Sequence, residues 1–438
     1  MSRNTWIYIA AIYLPIIAAL LARLVHGRRP RQFAACLLST IWVAAALPLL
    51  AHINLRVGWW SFAAMARGPA FGNMPLALYL GWIVLWGALP ILMFPRMRLP
   101  WVLLIMACVD LYGMPALKPI VMLNSEWLLG EALAVAIVLL PALLLSRWTL
   151  DDTHPRGRAI VQIMTAGLLF LFLLPELIFA LKPGAGWTPL WTMPDWIRQL
   201  SLQTIFLLAV PGISAVLEFA SRGNGTPIPY DPPKRLVTSG LYRYVANPMQ
   251  ISCGAVLLAW AALLRNGWMA SAAVMSIIYS AGIAEWDERQ DLKRRFGAEW
   301  IAYRSEVKNW LPRWTPFVGT AQSRIYIAGT CGPCSELWRW LAKRKPRGLE
   351  ILAAEQLPVG SIHRMRYEPG DGTPPVEGIR AFGCALEHLN LGWAYCGALL
   401  RLPGLWNTVQ MVMDAAGFGP RNLQTSAVSI AGVRRSHE

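Results

Sequence analysis

Long apolar runs broken by short polar, proline-marked stretches fill the first half of the chain. A hydrocarbon layer of about 30 Å needs roughly 20 apolar helical residues to cross it. Runs of that kind occupy 5–25, 33–53, 77–95, 100–117, 127–146, 159–181 and 199–219, and two shorter ones follow at 248–264 and 267–284. After Pro312-Arg313-Trp314-Thr315-Pro316 the pattern becomes that of a soluble unit. Strands are predicted at Arg324–Ala328, Leu349–Ala353 and Ile362–Tyr367, a turn at Gly370-Asp371-Gly372 and a helix over 376–390. The fold class expected is therefore mainly α: a polytopic membrane bundle of about nine spans with a C-terminal soluble α/β domain of thioredoxin-like element order. Its predicted divisions are 1–221, a bundle of no recognised role, 222–316, a second membrane unit, 320–420, the soluble domain, and 421–438, an unstructured tail.

Charge placement gives the expected orientation. Basic residues follow alternate spans: Arg23, Arg28, Arg29 and Arg31, then Arg96 and Arg98, then Arg147, Arg156 and Arg158, then Arg222, Lys234, Arg235 and Arg243. The bias of Lys and Arg toward cytoplasmic loops puts the N-terminus outside and the C-terminal domain in the cytoplasm, at an inner or plasma membrane. The first run has no basic leader or small-residue cleavage site and reads as a retained anchor. Across 438 residues, 56% are hydrophobic and 15% charged, far from the balance of a soluble domain. The net charge of +16 is then a topology signal and an attraction to anionic lipid, with nucleic acid not expected as a partner.

Two polar constellations carry candidate chemistry. The first is Arg235-Leu-Val-Thr-Ser-Gly240-Leu-Tyr242-Arg243-Tyr-Val-Ala-Asn247-Pro248, followed by the two short apolar runs and then Glu285-Trp-Asp-Glu288-Arg-Gln-Asp-Leu292-Lys-Arg-Arg-Phe296-Gly297. A polar loop, a helical hairpin and a charged helix returning to the same surface would enclose a pocket open to both water and lipid. Residues 222 to 314 resemble the isoprenylcysteine carboxyl methyltransferase and phospholipid methyltransferase group of integral-membrane enzymes. The likeness rests on Leu236, Val237, Gly240, Tyr242, Arg243, Asn247, Pro248, Glu288, Leu292, Phe296, Gly297, Trp300 and Tyr303. The chain departs from that pattern at Ala246, Gln250 and Arg289, where the family commonly has Arg, Tyr and Glu. The resemblance implies an S-adenosylmethionine-dependent methyltransferase acting on a lipid-soluble or prenylated acceptor. It gives Glu288 the cofactor's ammonium and Arg243 its carboxylate, with Gly240, Tyr242, Asn247 and Pro248 shaping the cofactor site. A sulfonium is an activated donor, so the protein's main task would be positioning. The alternative for Glu288 is pairing with Lys and Arg at helical spacing on a solvated face.

The second constellation is Cys331-Gly332-Pro333-Cys334, placed after a predicted strand and at the start of a helix. Helix N–H groups and the helix dipole lower a thiol's pKa there, which makes Cys331 the attacking and Cys334 the resolving thiol of a redox pair. The stretch from about 324 to 420 resembles the DCC family of thioredoxin-like thiol-disulfide oxidoreductases, with Ala328 where the family carries Asp. A structural dithiol and half of a metal site are the other readings; Cys384, Cys396, His363 and His388 lack ligand spacing, so no metal is expected. Among acids in apolar runs, Asp110 sits mid-span, with Glu131, Glu176 and Glu218 nearer span ends. Asp110 is either functional or structural, capping a helix break near Gly113 and Pro115 or hydrogen-bonding a neighbouring helix. The expected function is a membrane methyltransferase with an appended thiol-redox domain. The alternatives are a membrane-anchored thiol-disulfide oxidoreductase whose hairpin is scaffold, and a transporter or lipid-binding protein.

Overall fold

The computed structural model describes residues 3–26, 30–62, 70–71, 74–118, 120–182, 184–227, 232–357 and 363–420. The tail 421–438 lies outside the described residues. Among those described, seven helices are long and apolar enough to cross a membrane: Thr5–Leu24, Arg31–Val57, Leu76–Met93, Leu99–Ala116, Trp127–Leu150, Pro155–Leu181 and Asp195–Ser221. They mark the chain as a multi-pass membrane protein. Pro248–Leu263 and Gly267–Tyr279, the helices of the expected hairpin, are 16 and 13 residues long.

The chain forms two compact units, one of Met1–Ile205, Gly223–Lys234 and Val256–Ser276, the other of Phe206–Arg222, Arg235–Ala255 and Ile277–Glu438. The hub of the first is Pro30–Val57, with 61% of its apolar window buried against 6% for Thr5–Leu24. Trp42, Val43, Trp86, Val138, Leu139 and Ala142 build the core around it. Close approach is achieved with small residues, as at Gly87, where an added Cβ would lie 2.7 Å from the Thr40 Cα.

Three of the spans share one irregularity. Leu89, Leu140 and Leu174 each donate their N–H to the carbonyl five residues back, at Val84, Val135 and Leu169, and each is followed by proline. A proline inside a helix lacks an N–H and its ring crowds the preceding turn, so the widened turn absorbs the mismatch without ending the span.

At one end of this unit the connections close into an antiparallel ladder of Trp60–Phe62 with Val121–Leu123. The Asn54 amide donates to the Trp60 carbonyl at 2.8 Å and accepts from the Trp60 N–H at 2.9 Å, fixing the ladder to the end of Pro30–Val57.

The second unit is built around a four-stranded sheet of Ser323–Ile327, Leu349–Ala353, Arg366–Glu368 and Val376–Glu377. Ser323–Ile327 lies between Leu349–Ala353, parallel to it, and Arg366–Glu368, antiparallel, and Val376–Glu377 closes the edge antiparallel. Ile325 and Ile327, Leu341 of helix Gly332–Lys343, Tyr367 and Ala381 fill its core. The helix predicted over 376–390 begins later, at Ile379, because Val376 pairs with Tyr367 and Gly378 turns the chain at φ +64°. Of the strand predicted at Ile362–Tyr367, residue 362 lies outside the described residues and the ladder starts at Arg366.

Candidate functional site

The Gly240–Pro248 loop belongs to the second unit, and its geometry follows from one left-handed residue. Gly240 has φ +61°, and a Cβ there would meet the Glu218 carboxyl group at 3.1 Å, so glycine is required twice over. A 3₁₀ turn, Gly240–Arg243, follows. Tyr242 stacks on Phe219 with ring centroids 5.2 Å apart, and its carbonyl accepts from the Tyr303 hydroxyl at 2.8 Å. Ala246 and Asn247 donate their N–H groups to the carbonyls of Lys308 and Asn309, and Pro248 opens the next helix. The loop and the far end of helix Glu285–Glu306 are thus brought together. Between them, Gly297 at φ +51° breaks the helix. Glu288 lies in that helix, but its side chain is outside the described residues. Ala246 packs, half-buried, with Tyr303, Val307 and Phe317.

The polar groups of this loop are turned onto two acids that the sequence pattern does not single out as site residues, Glu218 and Glu387. The Gly240 N–H donates to Glu387 Oε2 at 3.1 Å, and Arg243 lies 3.4 Å from Glu387 Oε1 while donating to the Phe317 carbonyl at 2.9 Å. Arg401 bridges the acids, bonded to Glu218 and 3.2 Å from Glu387 Oε2. Arg222 lies 3.7 Å from Glu218, and Ser239 donates to that carboxylate at 2.8 Å. Glu387 is fully buried and Glu218 nearly so. Three guanidinium groups therefore face two buried carboxylates, with the rim residue Asp371 3.5 Å from Arg222.

His388, next along, is also fully buried. Its Nδ1 is 2.8 Å from the Arg347 carbonyl and its Nε2 is 2.9 Å from the Tyr367 hydroxyl. The carbonyl can only accept, so Nδ1 carries the proton and Nε2 accepts. Burial, and secondarily Arg243, hold its pKa well below 6.5. Cys384 lies 3.5 Å from Arg401, yet burial pushes its thiol up, so it stays protonated.

The dithiol sits where the sequence puts it. Cys331 is the N-cap of helix Gly332–Lys343, its carbonyl accepting from the Ser335 N–H at 2.8 Å, and Cys334 lies in the first turn. Cys331 is buried and Cys334 half-buried. The loop before Cys331 is held by a residue distant in sequence: Glu355 accepts from the Gly329 N–H at 3.2 Å, the Thr330 N–H at 3.0 Å and the Thr330 hydroxyl at 2.9 Å. Partial burial works against ionisation of Glu355, but these donors outweigh it and lower its pKa. Ala328, by contrast, packs on Tyr326 and Ala354 and offers no polar atom.

In the first unit, Asp110 of Leu99–Ala116 and Glu131 of Trp127–Leu150 lie side by side and line one cavity. Glu176 is elsewhere, accepting from the Trp187 indole at 2.7 Å. Among the described residues no group of three or more His, Cys, Asp or Glu could hold a metal ion. Comparison with protein-family models, with curated proteins and with solved structures found no match in any of the three.

Proposed function

We propose that the chain is a membrane-anchored thiol-disulfide oxidoreductase whose working pair is Cys331 and Cys334. The observation that carries this is the order of the sheet. With strands counted in chain order the arrangement is second, first, third, fourth, the first two parallel and the others antiparallel, and the first strand leads into the dithiol at a helix N-terminus. That is a thioredoxin-like arrangement, and it gives Cys331 helix N–H groups and the dipole's positive end.

In the proposed reaction the Cys331 thiolate attacks one sulfur of a substrate disulfide and releases the other as a thiol. Cys334 then attacks Cys331 of the mixed disulfide, giving a Cys331–Cys334 disulfide and the second substrate thiol. Two electrons pass to the substrate, and the two protons of the dithiol end on its two thiols. Glu355, ionised, holds the loop in front of the pair. The positive-inside pattern supports a cytoplasmic setting for this domain, in which a dithiol starts reduced. Full-length protein, reduced and freed of reductant, is expected to reduce a disulfide test substrate such as insulin, and Cys331→Ser to abolish this. A silent wild-type protein with a cooperative melt would sink the reading.

A second reading, methyl transfer from S-adenosylmethionine to a lipid-soluble or prenylated acceptor, is favoured by one feature: Tyr303 bonding to Tyr242 joins the two halves of the motif around the hairpin. In this reading the hairpin supplies spans eight and nine. Gly267–Tyr279 is continued by five residues, Ser280–Ala284, to about 27 Å at 1.5 Å per residue. Calorimetric titration of S-adenosylmethionine into the detergent-purified protein and its Glu288→Ala variant tests it. Absence of saturable binding removes it.

A further inference from the structure

The Asp110–Glu131 pair belongs to neither reaction. Its two helices follow one another in the chain, Asp110 six residues before Leu99–Ala116 ends and Glu131 four after Trp127–Leu150 begins. At 1.5 Å per residue both side chains start about 6–9 Å inside the helix ends. Above them lies the Trp60–Phe62 and Val121–Leu123 ladder, three of whose residues, Trp60, Phe62 and Val121, line the same cavity as the two acids. Gly130 lets the ladder come this close, since a Cβ there would be 2.7 Å from the Trp60 ring.

Asp110 is 2% and Glu131 5% exposed. The Trp82 indole donates to Asp110 Oδ1 at 3.0 Å, and the Trp60 indole stands beside Glu131. Asp110 Oδ2 receives no N–H or O–H donor from the described residues outside the pair, and what faces Asp110 is the Glu131 carboxyl group. The remaining lining consists of Asn54 and apolar or aromatic residues such as Leu47, Met114 and Ala134, with no Lys, Arg or His among the described residues.

Two carboxyl groups side by side can hydrogen-bond to each other only with a proton between them, since neither carboxylate can donate. Elsewhere a buried acid finds arginine; here, among the described residues, none is present to neutralise the second charge. A metal cation does not fit, because hard cations take six or more oxygen ligands and the neighbours here are indole N–H donors, which favour an anion. The cavity, about 60 Å³, is large enough to hold water.

We infer that Asp110 and Glu131 form a proton-binding site in the membrane bundle, the pair holding one proton between its carboxyl groups and exchanging it with water in the cavity. The bound form carries one negative charge, which the Trp82 indole N–H stabilises, and release of the proton to water leaves two. Among the described residues no other titratable group lines the cavity. The bundle thus carries a protonatable element of its own, independent of the dithiol.

The test is infrared difference spectroscopy on the full chain in lipid nanodiscs. At neutral pH the wild type is expected to show a protonated-carboxyl C=O band that shifts in D2O and titrates as a single proton. Asp110→Asn and Glu131→Gln singly should each change its frequency, and together remove it. The wild-type spectrum alone can overturn the proposal if it contains no such band or one that never exchanges. Persistence of the band in the double variant also overturns it. So does a rise in melting temperature with sodium, potassium or calcium that the double variant lacks, which would make the pair a cation site.

Discussion

The two compact units bury their acids in opposite ways. In the second, Glu218 and Glu387 are matched by Arg222, Arg243 and Arg401 within a lattice of ion pairs. In the first, Asp110 and Glu131 have, among the described residues, each other and two indoles beside them. A fixed countercharge makes a rigid joint, because every member must be present. A shared proton makes a site that can change state. The same burial therefore leads to scaffold in one place and to a titratable element in the other.

The largest effect that would break this contrast is at Glu387. Glu387→Gln keeps shape but strands Arg243 and Arg401 beside a neutral amide, and loss of one partner of a buried ion pair costs about 3–5 kcal/mol. The expected outcome is a marked fall in melting temperature and rapid proteolysis within 320–420 in an otherwise intact membrane protein. A near-neutral Glu387→Gln would mean that the arginines are solvated and the lattice is not structural. This bears on the methyl-transfer reading, since Arg243, expected to take the cofactor's carboxylate, already pairs with that of Glu387.

Next comes His388, which sits beside the same lattice as a neutral base. Its folded pKa lies well below the unfolded value of 6.5, so the unfolded chain binds the proton more tightly. Stability that is full above pH 6.5 is lost as the pH falls below it, at up to about 1.4 kcal/mol per pH unit. Chemical denaturation at pH 7.5 and 5.5 should show the loss, and His388→Gln should flatten the slope in that interval. An unchanged slope would place the titration elsewhere.

Replacing one acid of the membrane pair should cost far less. An amide at Glu131 can donate to Asp110 as the proton did, so Glu131→Gln is expected within about 1 kcal/mol of wild type by thermal melting in nanodiscs, the worth of one hydrogen bond. A cost comparable to that of Glu387→Gln would erase the distinction between the units.

Much of the architecture is legible in the sequence, and the exceptions have physical causes. The seven long apolar runs correspond to the seven long helices because length and apolarity alone decide them. Ser323–Ile327, Leu349–Ala353 and the helix opened by Cys331 show clear strand and helix starts. Val376–Glu377 is too short to show a period, and only its pairing with Arg366 and Tyr367 makes it a strand. Glu355 and Glu387 reach their partners across about 25 and 147 residues, which no local pattern encodes. Asp110 and Glu131 are each visible as acids in apolar runs. Their meeting follows from similar distances to the connecting turn, a signal that a reading of one span at a time does not capture.

The smallest test sharpens the contrast at the surface of the first unit. Asp152 is bonded to Lys234 at 2.6 Å and to Arg31 at 2.8 Å, with Arg158 at 3.2 Å, so here the membrane unit does use fixed countercharge, at a loop between two spans. Burial opposes ionisation, but these cations outweigh it and bring the Asp152 pKa to about 2. Because the folded pKa is the lower one, its stabilisation is present above about pH 4 and disappears as the pH falls toward 2. Arg31 and Lys234 are about half exposed, which screens the interaction, so Asp152→Asn should cost no more than about 1 kcal/mol at neutral pH and nothing near pH 2. Added salt should shrink that cost while leaving the Glu387→Gln deficit in place, because mobile ions reach a loop and not a buried lattice. Equal sensitivity of the two to salt would show that the arginine lattice is open to solvent.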